Sequence, residues 1–290
     1  ITSLRIPGLQ SGASDGDVLT FNSSNGNITL AAASGGGGAS AINDLSDAVT
    51  YDSGEGIGLG TGALANDDGS DNYNTALGYN AGNATTSGEA NVFIGYEAGS
   101  SRTTVGKSVC VGYEAGRYAT SYHITAIGYQ ALKGSSSAKV ILNNTAVGTY
   151  AGLNTQSTYV GPGSRNVFVG YAAAKDATTG EKNVVIGATA GEHMTTGQKN
   201  VVIGRGAAAG GTEYARRLTT GDNNIVIGHH AEASSSTVDN EVTLGDPNIA
   251  TLRCNVQTIS SLSDARDKTN VQELPEGLDF ISRLNPVKFQ

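Results

Sequence analysis

Tryptophan is absent from this chain, and methionine, cysteine, proline and phenylalanine each occur five times or fewer in 290 residues. With so few large side chains one thick core is excluded, and a long thin core lined by small residues is the alternative. Two cysteines, Cys110 and Cys254, are too few for a disulfide framework or a metal site and lie far apart, so both read as free packing residues. No stretch approaches the roughly 18 consecutive apolar residues of a membrane span, and no signal peptide opens the chain. Charge is sparse, at 18 basic against 26 acidic residues, and the net charge of −8 argues against a nucleic-acid partner. What the chain has in abundance is glycine, 41 residues of it, with 12 tyrosines. That is the composition of a repetitive fibrous β protein. The chain starts at Ile1 and stops in mid-pattern at Pro286-Val287-Lys288-Phe289-Gln290, so a fragment of a longer protein is expected.

The glycines are ordered by a short repeat: a β-branched residue, a variable one, an aliphatic one, glycine, two spacers and alanine. Clear copies are Val92-Phe93-Ile94-Gly95-Tyr96-Glu97-Ala98 and Val184-Val185-Ile186-Gly187-Ala188-Thr189-Ala190. Eleven copies end their strand at Gly60, Gly78, Gly95, Gly112, Gly128, Gly148, Gly170, Gly187, Gly204, Gly228 and Gly245. A unit with one short strand cannot bury a core alone, so each must stack on the next. At about 4.8 Å per rung the copies make a rod section roughly 50 Å long. The glycine is expected where the chain needs a positive φ or a close backbone approach. Alanine three residues later marks a tight packing slot, and the asparagine before the strand in seven copies is expected to form a ladder.

The middle strand position reads Gly58, Ala76, Phe93, Cys110, Ala126, Ala146, Phe168, Val185, Val202, Val226, Thr243. Taken as the outward face, it is almost wholly apolar, and an apolar outer face needs a cover. Copies of the same chain supply it most simply, so a homo-oligomer is expected. Longer connections at Lys133 to Asn143, Leu153 to Arg165 and Gly206 to Asn223 are displaced to the surface of a solenoid. The third holds Tyr214, Arg216 and Arg217, groups of a kind that stack on carbohydrate, although surface insertions are usually tolerated without a role.

The runs Asn74-Thr75-Ala76-Leu77-Gly78-Tyr79-Asn80-Ala81-Gly82 and Asn91 to Gly99 resemble the head repeats of trimeric autotransporter adhesins, and more closely repeats of bacteriophage tail fibres. The resemblance implies an all-β fold, a left-handed parallel β-roll or solenoid in a homotrimeric fibre. Residues 1–50 then read as short strands with a glycine-rich linker, 51–250 as the repeat shaft, 251–263 as a neck, and 264–290 as a separate domain's beginning. In that last stretch charged residues crowd in, and Leu278, Ile281 and Leu284 fall on a helical period after Pro275 and Glu276. A short α-helical C-terminal segment is expected there.

The stretch Ser263-Asp264-Ala265-Arg266-Asp267-Lys268, with the later Leu284-Asn285-Pro286-Val287-Lys288-Phe289, resembles the start of the endosialidase-type intramolecular chaperone. That family trimerises a fibre and then cuts itself off. The resemblance makes Ser263 the nucleophile at the Ser263–Asp264 bond and Lys268 its base, with Asp267 where the family more often has leucine. A serine needs such a base, and a lysine serves only when burial or nearby cations lower its pKa. The resemblance implies a structural tail fibre assembled in the host bacterial cytoplasm, carried on the virion, and partnered by other tail proteins and a host-surface receptor of glycan type. The alternative is a bacterial trimeric surface adhesin, which ends in a coiled coil and a membrane-anchor barrel; Ser263 to Gln290 shows neither pattern. A glycan-degrading tailspike needs opposed acidic clusters, and Asp67, Asp68 and Asp71 face no second one. His229-His230, His123 and His193 read as surface histidines, with no nearby carboxylate pattern for His123 and His193, so no metal and no cofactor are expected. Gly35 to Gly38 is not followed by Lys-Ser or Lys-Thr, which excludes a phosphate loop.

Overall fold

The computed structural model describes residues 56–70, 72–135, 142–156, 164–210, 217–253 and 255, and the strand backbones of β1 (Val18–Asn22), β2 (Asn27–Ala31) and β3 (Ala48–Thr50). The remaining strands are β4 (Ile57–Leu59), β5 (Thr75–Leu77), β6 (Val92–Ile94), β7 (Val109–Val111), β8 (Thr125–Ile127) and β9 (Thr145–Val147). They continue with β10 (Val167–Val169), β11 (Val184–Ile186), β12 (Val201–Ile203), β13 (Ile225–Ile227) and β14 (Val242–Leu244). β1 and β2 form an antiparallel hairpin. β3 lies antiparallel against β4, and from β4 to β14 each strand pairs in parallel with the next, in chain order. The register joins equivalent repeat positions, as in Phe168 opposite Val185 and Val185 opposite Val202. The fold is therefore an all-β parallel solenoid. Two compact units divide the chain, Ile1–Asn248 and Ile249–Gln290.

Each strand from β4 to β14 is three residues, mostly β-branched or aliphatic, ended by the repeat glycine. Gly187 shows why no side chain stands there: its φ is +134°, and a Cβ would come within 2.6 Å of the Gly204 carbonyl carbon. Other left-handed positions are filled without glycine, including Asn80, Glu97, Glu114, Gln130 and Thr189 two residues after the strand glycine, at φ between 51° and 55°. The repeat's conformational demands thus exceed what its glycines reveal.

The inward and outward faces are the reverse of the sequence expectation. The middle strand residues are the core: Ala76, Phe93, Cys110, Ala126, Ala146, Phe168, Val185, Val202 and Val226 are buried. The flanking aliphatic residues point outward. Alternation shows that neighbours face opposite ways, but it cannot say which way is in when both sets are apolar. The alanine slot settles it. Ala63, Ala81, Ala98, Ala115, Ala131, Ala151, Ala173, Ala190, Ala207 and Ala231 are all buried in the same cluster as the middle residues.

Size is traded across this thin core. Phe93 fills the space over Gly82, where a Cβ would stand 2.5 Å from its ring, and also meets Gly99. Phe168 fills the space over Gly152 at 2.6 Å. In the copies of Gly58 and Ala126, the slot that holds glycine at 82, 99 and 152 carries buried Leu64 and Leu132. The cross-section is kept constant by complementary volumes.

The asparagine ladder is present and has two kinds of rung. Except at Asn91, the Oδ1 accepts the backbone N–H of the next copy, at 2.9 Å from Asn183 to Asn166, Asn200 to Asn183 and Asn224 to Asn200. Each Nδ2 donates to a turn carbonyl, as Asn166 to Gly180 at 3.0 Å and Asn183 to Gly197 at 2.8 Å. These amides are buried and paired, which makes them stabilising rather than costly. The ladder stops at Glu241, whose N–H donates to Asn224 Oδ1 at 2.8 Å but whose carboxylate turns back to accept from Ser234 N–H at 2.9 Å. In the same last copy the core slot holds Thr243 and the alanine slot Asn248.

Candidate functional surface and the C-terminal segment

Because the middle residues face in, the outer face of the sheet carries the other two positions of every strand, and none of these is charged. Leu77, Ile127, Ile186, Ile225, Ile227, Val242 and Leu244 are exposed, Val242 at 63% and Leu244 at 53%. The result is a ribbon of aliphatic side chains along the sheet from β4 to β14. Its composition was legible in the repeat, although its residues were assigned to the wrong side.

A second column follows the strand glycine. Tyr79, Tyr96, Tyr113 and Tyr129 stack with ring centroids 5.3, 4.9 and 5.1 Å apart. The column is interrupted at Thr149, and there Tyr150, one residue later, meets Tyr129 edge-on at 5.3 Å and Tyr171 at 6.2 Å. These rings are partly exposed, and the stack adds attraction to the rung spacing. The signal available in sequence was a tyrosine directly after the glycine in four successive copies, which sequence reasoning did not use.

Next to this column Glu114 is held by three groups from two copies, its own and the next. Lys133 Nζ lies 2.7 Å from its Oε2, Gln130 Nε2 donates to the same oxygen at 2.6 Å, and Arg117 Nη1 pairs with Oε1. Arg117 also reaches Glu97 at 2.7 Å. Burial works to raise the Glu114 pKa, but the hydrogen bonds from Lys133, Gln130 and Arg117 prevail and hold its carboxyl below the usual range. Cys110 is a free thiol in the core, and burial pushes it up to about 11 against the opposing effect of Arg102, so it stays neutral.

His193 is not isolated from carboxylates as expected, since its Nδ1 lies 2.9 Å from Asp176 Oδ2 on the neighbouring copy. His229 and His230 stand edge to face at 4.2 Å, and Arg205 Nη1 lies 2.9 Å from His230 Nε2 and 3.3 Å from His229 Nε2. Asp67 and Asp68 cap their own turn through Gly69 and Ser70 N–H groups, each at 3.1 Å. Among the described residues no group of three or more His, Cys, Asp or Glu could hold a metal ion. Asp71, Tyr214, Arg216, Cys254, Ser263 and Lys268, and the helical segment expected near Leu278, lie outside the described residues.

Residues 263–290 match the family model described as chaperone of endosialidase. No curated protein and no solved structure matches the chain. The match begins at Ser263, after the last solenoid strand has ended at Leu244. A parallel β-solenoid followed by this segment fits a tail-fibre-like protein with a C-terminal chaperone domain.

Proposed function

We propose that this chain is a structural tail fibre protein of a tailed bacteriophage, a rigid shaft for host attachment built from three copies of the roll. The observation that carries the reading is the position of the chaperone match, C-terminal to an eleven-strand solenoid whose outer ribbon lacks charge. Aliphatic side chains exposed on a sheet gain about 25 cal/mol per Å² when covered. A second copy of the same ribbon is the best cover, because its rungs repeat at the same spacing and every residue meets an equivalent one. The C-terminal segment brings the three copies together and then cuts itself off at the Ser263–Asp264 bond. In that step Lys268 takes the Ser263 hydroxyl proton as the oxygen attacks the carbonyl carbon of the bond to Asp264. Collapse of the intermediate releases the new amino terminus at Asp264 with a proton, leaving an ester that water hydrolyses.

The test is expression of the full gene followed by gel analysis and sedimentation. The wild type should give two bands and a shaft sedimenting as a trimer, whereas Ser263→Ala should give one uncut band. Persistent cutting in Ser263→Ala would overturn the assignment of the nucleophile, and a stable monomeric shaft would overturn the oligomer.

A further inference from the structure

The asparagine ladder lapses at two successive copies, where its slot holds Ser108 and Ile124. Elsewhere the amide has a fixed target, the carbonyl seven residues before the next strand glycine. Asn91 donates to Val105, ahead of Gly112; Asn183 donates to Gly197, ahead of Gly204; Asn224 donates to Val238, ahead of Gly245. Counted the same way from Gly128, the carbonyl that the residue at 108 should reach is that of Ser121. A serine hydroxyl is too short to do so.

That carbonyl nevertheless has its donor. Arg102 Nη2 donates to Ser121 O, lies 2.7 Å from Ser108 Oγ, and Nη1 donates to Ala119 O. Ser108 Oγ in turn accepts the Ile124 N–H at 3.3 Å, the bond that Asn183 Oδ1 makes to the next copy's Asn200 N–H. Arg102 and Ser108 together therefore supply both halves of the missing asparagine, a donor to the turn and an acceptor for the next backbone. The cost of the lapse is visible one copy earlier, where buried Asn91 Oδ1 has no partner.

Arg102 comes from a different column. Its slot is filled elsewhere by Thr85, Ala119, Thr155, Ala177 and Met194, and Arg102 is fully buried there, with no ion pair among the described residues. The neighbour in the next copy is Ala119, whose methyl leaves the guanidinium room to pass toward Ser121. We infer that Arg102 is a positioning residue that splices the ladder across the β7–β8 gap and marks this copy as distinct from its near-identical neighbours. A buried cation without a carboxylate is tolerated only where donors find acceptors; here Nη1 and Nη2 do, while the buried Nε has none. Displacing this copy one rung toward the preceding copy would put the guanidinium opposite the Val105 carbonyl, already taken by Asn91, so that shift is disfavoured.

The splice is tested on the intact chain by melting and by hydrogen–deuterium exchange of the peptide spanning Ala119 to Thr125. Arg102→Met keeps a long apolar stem and removes the donors; Ser108 Oγ, the acceptor of the Ile124 N–H, then loses the guanidinium that holds it in place, and exchange of that amide should quicken about tenfold. Adding Ser108→Asn to Arg102→Met should restore most of that protection. Wild-type protection in Arg102→Met, or no recovery in the double variant, would overturn the splice. If Arg102→Met does not fold, Ser108→Asn alone decides the matter. With the Ser121 carbonyl already occupied it should not stabilise, and a raised melting temperature would refute the inference.

Discussion

At the scale of single residues, the roll depends on positions that admit one side chain or none. Gly187→Val places a side chain against the Gly204 backbone at a φ of +134°, and should cost roughly 2–3 kcal/mol in unfolding free energy measured by denaturant titration. Asn183→Leu removes the acceptor for Asn200 N–H and the donor to Gly197 O, leaving two buried backbone groups unpaired. A loss of about 1–3 kcal/mol per orphaned group is expected, with faster exchange of the Asn200 amide. Glycine spacing and asparagine position both stood in the sequence, because each is a local demand repeated many times. The left-handed conformations of Glu97, Glu114 and Thr189 did not, since these residue types carry no mark of a positive φ. Nor did the role of Arg102, whose partners lie in another column and become neighbours only when copies stack.

At the scale of the element, one copy is stable only through the fit between its middle residue and the turns on either side. Phe93→Ala empties the space over Gly82 and Gly99 and should lower stability by about 3–5 kcal/mol. Gly82→Ala alone should also destabilise, because the ring already occupies that volume; a neutral result would show that the core is looser than described. The charged cluster around Glu114 gives the copies at β7 and β8 a pH dependence. Its carboxyl pKa is held below the ordinary glutamate value of 4.5, so the stabilisation is present above that value and lost as pH falls through the depressed folded-state pKa. Melting followed from pH 7 to pH 3 should show this loss, and Glu114→Gln should flatten it. Strand positions were legible at this scale, but which face was inner was not. Two apolar faces are equivalent by alternation, and only the course of the turn over Phe93 and Ala98 distinguishes them.

For the whole molecule, the ribbon from Leu77 to Leu244 offers the surface through which copies of the shaft are proposed to associate. Ile186→Lys with Ile203→Lys leaves the core residues Val185 and Val202 untouched, so the fold should persist by circular dichroism while sedimentation shifts toward the monomer. An unchanged assembly would place the contact on another face. The far end of the shaft behaves differently from its length. β14 ends a parallel sheet, and an open strand edge is a template onto which any similar strand can add. Glu241 removes that invitation twice over. It has no amide with which to continue the ladder, and two shafts meeting end to end at β14 would bring like charges together where an asparagine would have welcomed the next strand. Among the described residues, one carboxylate thus opposes the addition of a further strand beyond β14.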